Sequence, residues 1–398
     1  MHSTRSVPMK IWNRLLCLLL TTTLAACSTI NPPVQATRAA WIPEQWQVRI
    51  NPQSIDTDTQ RLSLVIPGEG RLLADRIAVH TLPDGTIAWH GTLIAESAAP
   101  AANGSLKAAL NSIILIRSSN RVSGIIRRDG QAYSLLPSGD ATVLSKIDAA
   151  KLPPDHDPSI PSGAMLGPRQ HVAIAPYQPG HATIRVLVVA SRQADEASED
   201  LRAMAHLAIE ESNQTFDESG IDLSLELADV FPLDYEQSFS PNWDLDRLMK
   251  IDDGYMDEVH DMRDTLKADV VVLLRDNANT SCGFAGEIGA SAETAFTVVN
   301  VRCIGVGRFT FAHEIGHLLG GAHDNASGPF AYGHGYAHEP ADGPKLYTVM
   351  TAFRLDTVRL PYWSDPQREV DGIRLGDKDT ADNHRLLEER KGIVAGFR

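Results

Sequence analysis

Residues 313–324 have the sequence HEIGHLLGGAHD, with three histidines and one glutamate close together. In an α-helix, positions i and i+4 lie one turn apart on the same face, so His313 and His317 can direct an imidazole nitrogen at one metal ion. Glu314 then lies beside the ion without binding it. The spacing therefore predicts a helix that carries a metal site.

A glycine after this helix allows a third histidine to join the site. Gly320 tolerates a positive φ and can end the helix, so that His323 returns as a third ligand. A structural zinc site uses four protein ligands, whereas this stretch supplies three and leaves a position for water. The pattern therefore favours catalytic zinc. Chance is a poor explanation, because it would produce the pattern in only about one chain in 10⁵. The remaining alternative is a non-catalytic zinc site.

Length and composition indicate an ordinary globular protein. A chain of 398 residues suggests two domains, and an apolar fraction of 43% is sufficient for hydrophobic cores. The formal charge of −14 and the pI near 5.4 argue against a nucleic-acid partner, because no basic stripe offsets the acidic excess. No feature of the sequence indicates the oligomeric state.

The first 26 residues have the pattern of a signal peptide. Three basic residues precede an apolar stretch, residues 15–24, that is too short to span a bilayer, and two alanines follow it. The chain is therefore predicted to be exported.

Cys27 ends the sequence LAAC, which resembles the lipobox of bacterial lipoproteins. In such proteins the cysteine is lipidated and becomes the mature N-terminus, so we expect a membrane anchor, with the following serine compatible with the outer membrane. The alternative is an ordinary signal peptide, in which case the protein is secreted.

Two cysteines remain for the folded part, Cys282 and Cys303. They are twenty-one residues apart, in an oxidising compartment, with flanks typical of adjacent strands. We predict a disulfide between them. The alternative is two buried free thiols.

The mature chain divides into four predicted parts. Residues 27–40 form a tether, and residues 41–152 have the short alternating strands and turn signals of a small all-β domain. Residues 153–182 form a linker rich in proline and charge, and residues 183–398 form the domain with the histidines. In the β-rich part, His80 and His90 are isolated and are predicted to lie on the surface.

From residue 183 strands alternate with helices, a pattern that favours a mostly parallel sheet. The predicted strands are 184–189, 221–230, 268–274 and 296–301, and the predicted helices are 196–219, 243–267 and 308–319.

This order of elements, followed by HExxHxxGxxHD, resembles the metzincin metallopeptidases over residues 183–398. In having an aspartate, Asp324, directly after the third histidine, the stretch most resembles the reprolysin or adamalysin branch. The stretch around Met350 resembles the family's Met-turn, in which a thioether packs beneath the imidazoles. No tyrosine stands two positions after Met350, so the resemblance implies three histidines and a water.

The resemblance implies a fold and an activity. The fold would be α/β (α+β), with a mixed, mostly parallel twisted sheet and an active-site helix, and the β-rich part would be propeptide-like or accessory. The activity would be zinc-dependent cleavage of polypeptides, with Glu314 as general base. An extended substrate would lie along residues 283–289, and its side-chain preference would depend on residues 350–353. A calcium ion is possible, but no feature of the sequence supports one.

The chain departs from one pattern of the family. No cysteine lies between residues 28 and 281, so a prodomain cysteine cannot cap the zinc. The stretch Asp155-His156-Asp157 could offer a carboxylate or an imidazole in its place. We interpret it as a charged linker.

Two other functions are compatible with the sequence. One is a cell-surface lipoprotein that binds polypeptide or zinc without catalysis, although Glu314 would then have no chemical purpose. The other is a zinc hydrolase of non-peptide amides or esters, which only the family resemblance argues against.

Overall fold

The structure is a computed structural model, and it describes residues 39–94, 105–156, 172–174, 179–276, 281–352, 354 and 358–398. The described residues belong to one compact unit. Within these ranges no helix has the length and apolar character needed to cross a bilayer. The predicted signal peptide, Cys27 and Asp157 lie outside the described residues.

The N-terminal part forms an eight-stranded antiparallel sheet with strand order β1-β8-β7-β6-β5-β4-β3-β2. Its strands are β1 (Glu44–Val48), β2 (Arg61–Ile66), β3 (Gly70–Thr81), β4 (Ile87–Ile94), β5 (Ser112–Ser118), β6 (Arg121–Arg128), β7 (Gln131–Ser138) and β8 (Ala141–Lys146). A short helix, α1 (Leu106–Ala109), precedes β5. The β-rich character predicted for this part is confirmed, while its boundaries as a domain stay a prediction.

Turns with positive φ connect consecutive strands of this sheet. Asp129 and Gly130, with φ of 49° and 83°, join β6 to β7, and Gly85 lies in the turn before β4. These positions coincide with the aspartate–glycine turn signals of the sequence. The edge strand β1 pairs with β8, so its partner lies about a hundred residues further along the chain.

The second sheet has five strands in the order β10-β9-β11-β13-β12. These strands are β9 (Ala182–Ala190), β10 (Leu223–Pro232), β11 (Val270–Arg275), β12 (Gly283–Ala285) and β13 (Phe296–Asn300). Every pair is parallel except β12 with β13. The sequence correctly indicated a mixed α/β segment here. The antiparallel strand β12 is the edge strand of this sheet and packs against the histidine-rich helix α6.

Six helices accompany this sheet: α2 (Arg192–Glu196), α3 (Leu201–Ser219), α4 (Pro241–Met249), α5 (Glu258–Leu266), α6 (Thr310–Leu318) and α7 (Asn383–Val394). The single helix predicted over residues 243–267 is wrong. Asp252, Gly254 and Met256 all have positive φ, so the chain leaves the helical conformation between α4 and α5.

Helix α3 lies between the two sheets. Its residues Ala205 and Leu207 share one hydrophobic cluster with Ile116 and Ile125 of the first sheet and with Val188 of the second. Buried charges also join the first sheet to this helix, since the guanidinium of Arg127 lies 2.7 Å from the carboxylate of Glu211. The N-terminal sheet is therefore packed tightly against the part that carries the histidines.

The chain after α6 forms small strands and loops. They are β14 (Ala337–His338), β15 (Leu346–Tyr347), β16 (Val358–Arg359), β17 (Asp365–Val370) and β18 (Ile373–Leu375). Helix α7 then packs against β9 and β17.

Candidate metal centre

Three histidines of the stretch HEIGHLLGGAHD converge on one point. Helix α6 carries His313 and His317 and ends at Leu318, and Gly320 follows with a φ of 107°. This turn brings back His323, whose Nε2 lies 3.0 Å from Nε2 of His313. All three side chains are buried, so the predicted arrangement of a helical pair and a returning third histidine is what the structure contains.

Backbone carbonyls determine how two of these imidazoles are protonated. Nδ1 of His313 donates to the carbonyl of Val349 at 2.7 Å, and Nδ1 of His317 donates to the carbonyl of Gly321 at 2.8 Å. A carbonyl can only accept, so each ring carries its proton on Nδ1 and presents an Nε2 lone pair to the common point. Burial lowers the pKa of both histidines well below its usual range, which keeps them neutral.

A fourth histidine, His156, lies at the same point. Its Nε2 is 3.2 Å from Nε2 of His313, 3.1 Å from that of His317 and 3.0 Å from that of His323. Its Nδ1 donates to the carbonyl of Gly283 at 3.2 Å, so this ring too presents an Nε2 lone pair. The interpretation of residues 155 and 156 as a charged linker is wrong, because His156 completes the cluster and Asp155 is buried beside it.

The spacing of these nitrogens fits a metal ion. The lone pair of His156 faces those of His313 and His317 at 3.2 Å and 3.1 Å without a proton between them, and a cation at the common point would relieve their repulsion. Nitrogen ligands of tetrahedral zinc at about 2.0–2.1 Å from the ion are about 3.3–3.4 Å apart, close to what is observed. Neutral imidazoles are also the ligand type that zinc prefers in proteins. The cluster is therefore able to hold a zinc ion.

Glu314 lies beside the histidines in a fully buried position. Neither of its carboxylate oxygens has a hydrogen-bond partner among the described residues. Burial raises the pKa of this carboxyl well above its usual range, the charge of Asp155 raises it further, and Arg359 opposes the effect. A buried carboxylate without a partner is costly, so this group is positioned for a proton or a reacting molecule.

Gly283, the first residue of β12, makes room for this carboxylate. A Cβ atom at Gly283 would lie 2.3 Å from Oε1 of Glu314, which is much closer than any real contact. The backbone of β12 at Gly283 and the buried carboxylate of Glu314 are therefore in direct contact.

Met350 and Trp363 pack beneath the histidines. A Cβ atom at Gly316, on the turn between His313 and His317, would lie 2.6 Å from Sδ of Met350 and 2.7 Å from the ring of Trp363. Both side chains are fully buried. Met350 also follows Val349, whose carbonyl orients His313.

Asp324 connects the end of the histidine stretch to the chain after Met350. Its carboxylate accepts a hydrogen bond from the backbone N–H of Ala352 at 2.9 Å and pairs with the guanidinium of Arg354 at 2.6 Å. This aspartate therefore fixes the loop that runs beside the third histidine.

Two arginines surround Asp155 next to the metal centre. Nη2 of Arg359 lies 2.7 Å from one oxygen of this carboxylate, and Nη1 of Arg308 lies 3.5 Å from the other. All three side chains are buried. Although burial raises the pKa of Asp155, the two guanidinium groups lower it by more, so this carboxyl is ionised.

A disulfide between Cys282 and Cys303 braces the edge strand, as predicted, with the two Cα atoms 5.6 Å apart. Cys282 immediately precedes β12, and Cys303 ends the short 3₁₀ turn after β13. The bond therefore ties β12 to the chain that leads into α6.

Sequence comparison identifies the family to which the chain belongs. The sequence model of the family described as "Metallo-peptidase family M12B Reprolysin-like" matches residues 202–324. A peptidyl-Asp metalloendopeptidase of Stenotrophomonas maltophilia (strain K279a) is 40% identical over 344 residues, which cover 82% of this chain and 81% of that protein. The chain belongs to the reprolysin-like metallopeptidases. It is a metalloendopeptidase of a zinc-dependent type, as the resemblance implied.

Two further relatives of this metallopeptidase are also named peptidyl-Asp metalloendopeptidase. The protein of Xanthomonas campestris pv. campestris is 35% identical over 390 residues, which cover 95% of this chain and 92% of that protein. The protein of Pseudomonas fragi is 31% identical over its full length, matching 47% of this chain. A solved structure of metalloproteinase-II from Bacteroides fragilis aligns with a TM-score of 0.42 at 13% identity over 76% of this chain and 86% of that one, a likeness too weak to carry an argument.

Sequence reasoning also missed a polar cluster of the metallopeptidase between the first sheet and α3. His90 is not an isolated surface residue, because its Nε2 lies 2.7 Å from the buried carboxylate of Glu210. His80 lies next to His90, with 5.6 Å between the ring centroids. Nothing near His90 in the sequence indicates a partner 120 residues away.

Proposed function

We propose that the protein is a zinc endopeptidase with a metzincin-like catalytic domain, in which His313, His317 and His323 hold the metal. The convergence of their Nε2 atoms on one buried point, beside a carboxylate without a hydrogen-bond partner among the described residues, carries this proposal. Burial keeps the imidazoles neutral, as zinc ligands must be, and it lowers the pKa of His323 to about 3.

Zinc, when bound, would polarise the peptide carbonyl and make water a nucleophile near neutral pH. Glu314 then takes a proton from the attacking water and passes it to the amine of the leaving peptide. The raised pKa of this carboxyl favours that task, because a base must hold the proton before it gives it away. Met350 serves as the Met-turn, since it packs on the helix between the two histidines that it supports.

The substrate would bind as an extended chain along β12. This strand has one neighbour in the sheet, β13, so a further strand can pair with its other side once residues 153–156 have left it. The relatives are named peptidyl-Asp metalloendopeptidase. We propose that this chain likewise cuts polypeptides at aspartyl residues. Recognition through the backbone alone would not give that preference, so a cationic side chain near the metal is required.

The proposal is tested with unfolded casein and with purified full-length protein that has been incubated until its cleavage rate is constant. We expect peptide fragments without chelator, no fragments after the metal is removed, and recovery of the rate with stoichiometric zinc. Glu314→Ala should lower the rate by at least 10³-fold. A binding protein without catalysis, the alternative function, would retain casein uncut under all four conditions.

The location of the protein is a separate proposal. The LAAC sequence that ends at Cys27 supports lipidation of that cysteine and anchoring in the outer membrane. Mass spectrometry of the mature N-terminus should detect a diacylglyceryl cysteine. An unmodified N-terminus after residue 26 would instead indicate a secreted protein.

A further inference from the structure

The linker before the peptidase part lies in the place where a substrate would bind. The carbonyls of Pro154 and Asp155 accept hydrogen bonds from the backbone N–H groups of Cys282 and Gly283, at 2.8 Å and 2.9 Å. These are the groups with which the β12 edge begins. The chain's own residues therefore occupy this end of the edge.

A second piece of the linker lies at the far end of the same stretch. A Cβ atom at Gly289 would lie 2.6 Å from the side chain of Val172, and the carbonyl of Ala173 accepts from the guanidinium of Arg390. Residues 153–156 and 172–174 thus contact the two ends of residues 283–289, along which we expect substrate to lie.

At the metal, this linker supplies an imidazole. Catalytic zinc needs a position for water besides its three protein ligands. The Nε2 of His156 stands within 3.2 Å of all three ligand nitrogens, so it takes up the remaining position. The hydrogen bond from its Nδ1 to the carbonyl of Gly283 directs its lone pair at the metal.

We propose that His156 is the fourth metal ligand of the intact chain and excludes water from the metal until the linker moves away. This inference rests on the proposed zinc site. It explains how the site is restrained in a chain that has no prodomain cysteine, and it assigns a task to a histidine 157 positions before the first ligand.

The test uses full-length chain carrying Glu314→Gln, which cannot cut itself, with cobalt(II) in place of zinc. The visible spectrum of cobalt reports on its ligands, and acetohydroxamate is a small ligand for an open metal. We expect no spectral change on adding acetohydroxamate to this parent. The double variant Glu314→Gln/His156→Ala should bind acetohydroxamate with a Kd at least tenfold below the highest concentration tested on the parent, and it should lose metal to a chelator faster. His181→Ala, an exposed histidine, is the control and should behave like the parent.

Equal acetohydroxamate binding with and without His156 would overturn the proposal. If His156→Ala misfolds, His156→Gln, which fills a similar volume, replaces it and should also bind acetohydroxamate more tightly than the parent. Failure of the proposed function gives a different result, since a chain without a metal site would show no cobalt spectrum in any variant.

A different observation carries a second inference, on the choice of substrate. Asp155 presents its carboxylate to Arg359 and Arg308 one residue before the histidine at the metal. Both arginines belong to the peptidase part, and Arg359 also donates to the carbonyl of Thr351, in the segment expected to govern side-chain preference. The linker therefore places an aspartate in a cationic pocket beside the metal.

We infer that Arg359, assisted by Arg308, binds the aspartyl side chain of a substrate, and that Asp155 fills this pocket in the intact chain. A guanidinium that is held in place by backbone carbonyls binds a carboxylate with defined geometry and distinguishes it from an amide. Arg359 makes such bonds to Thr351 and to the carbonyl of Arg308.

The test compares two peptides that differ only in Asp or Asn at the cleavage site. Full-length protein is first incubated until its rate of peptide cleavage is constant, and the two peptides are then compared. We expect the wild type to prefer Asp by roughly 100-fold in kcat/KM, and Arg359→Gln to reduce that preference at least tenfold. Arg385→Gln, a partly exposed arginine on α7, is the control and should keep the preference.

Retention of the Asp preference by Arg359→Gln would overturn the assignment, as would a wild type that cuts both peptides equally. If Arg359→Gln misfolds, Arg359→Lys, which keeps the charge without the planar fork, should show an intermediate preference. A protein that cuts neither peptide contradicts the proposed function instead, so the two failures are distinct.

Discussion

The backbone carbonyl of Val349 accepts the Nδ1–H of His313 at 2.7 Å, and the next residue, Met350, packs on the helix that carries this histidine. One segment therefore both orients a predicted ligand and supports it from below. The consequences of this relationship can be measured.

Met350→Ala should destabilise the protein by about 2–5 kcal/mol, because it leaves a cavity beneath α6. It should also weaken zinc binding by roughly tenfold or more, since the imidazoles lose their support. Met350→Leu conserves volume and should cost less than about 1.5 kcal/mol. Urea unfolding and a competitive zinc titration measure the two effects. Equal zinc affinity in Met350→Ala and wild type would show that the residue is merely part of the core.

Gly316→Ala should destabilise the protein by about 1–3 kcal/mol. Its methyl group would meet both Met350 and Trp363 inside normal contact distance, and neither buried ring nor thioether can move aside freely. Gly392→Ala on α7 is the matched control, because nothing lies within 4 Å of its Cβ position. This second change should stabilise by about 0.5–1 kcal/mol through helix propensity. The midpoint temperature of thermal unfolding should therefore fall in Gly316→Ala and rise in Gly392→Ala, relative to wild type.

Removal of the disulfide should lower the free energy of unfolding by about 3 kcal/mol, because the unfolded chain gains the entropy of an open loop. The double variant Cys282→Ala/Cys303→Ala is compared with wild type by urea unfolding. Amide exchange should increase first at Gly283 and Phe284, which follow the bond. Unchanged exchange in β12 would mean that β13 alone holds the edge strand in place.

Acid should weaken the contact between the first sheet and α3. Burial raises the pKa of Asp84, but hydrogen bonds from His206 and from the backbone of Thr86 lower it by more, to about 2. A lowered folded-state pKa means that the stabilisation is present above about pH 4 and is lost as pH falls toward 2. Because Asp84 is partly exposed, we expect a contribution of only about 1 kcal/mol.

Metal-free protein should be used for this measurement, so that loss of zinc in acid does not contribute. The difference in urea stability between wild type and Asp84→Asn should be present at pH 6 and should vanish near pH 2. Asp140→Asn, on an exposed turn of the first sheet, should show no such difference at either pH. A difference that persists in acid would contradict the role of the Asp84 carboxylate.

Local patterns in the sequence predicted the parts of the molecule that depend on local geometry. The i and i+4 spacing placed His313 and His317 on one helix face, and the positive φ of Gly320 gave the turn that returns His323. The short alternating strands and turn signals of residues 41–152 predicted the β-rich character of the first sheet, and the alternation of strands with helices predicted the mostly parallel second sheet.

Contacts between distant segments could not be predicted in this way. His156 is 157 positions from His313, and no periodicity relates a linker residue to a helix so far away. The only signal was a histidine next to an aspartate in a chain without a prodomain cysteine. The break between α4 and α5 was different, because the stretch Asp252-Asp253-Gly254 is a local turn signal that the apolar pattern around it outweighed.

The central claim is that His313, His317 and His323 hold zinc while Glu314 performs the proton transfer. It is tested most directly by measuring zinc content and peptide hydrolysis on the same sample of Glu314→Gln. We predict one zinc per chain, bound as tightly as in wild type, together with a loss of hydrolysis of at least 10³-fold. A Glu314→Gln protein that binds zinc normally and still hydrolyses peptides within tenfold of the wild-type rate would contradict the account.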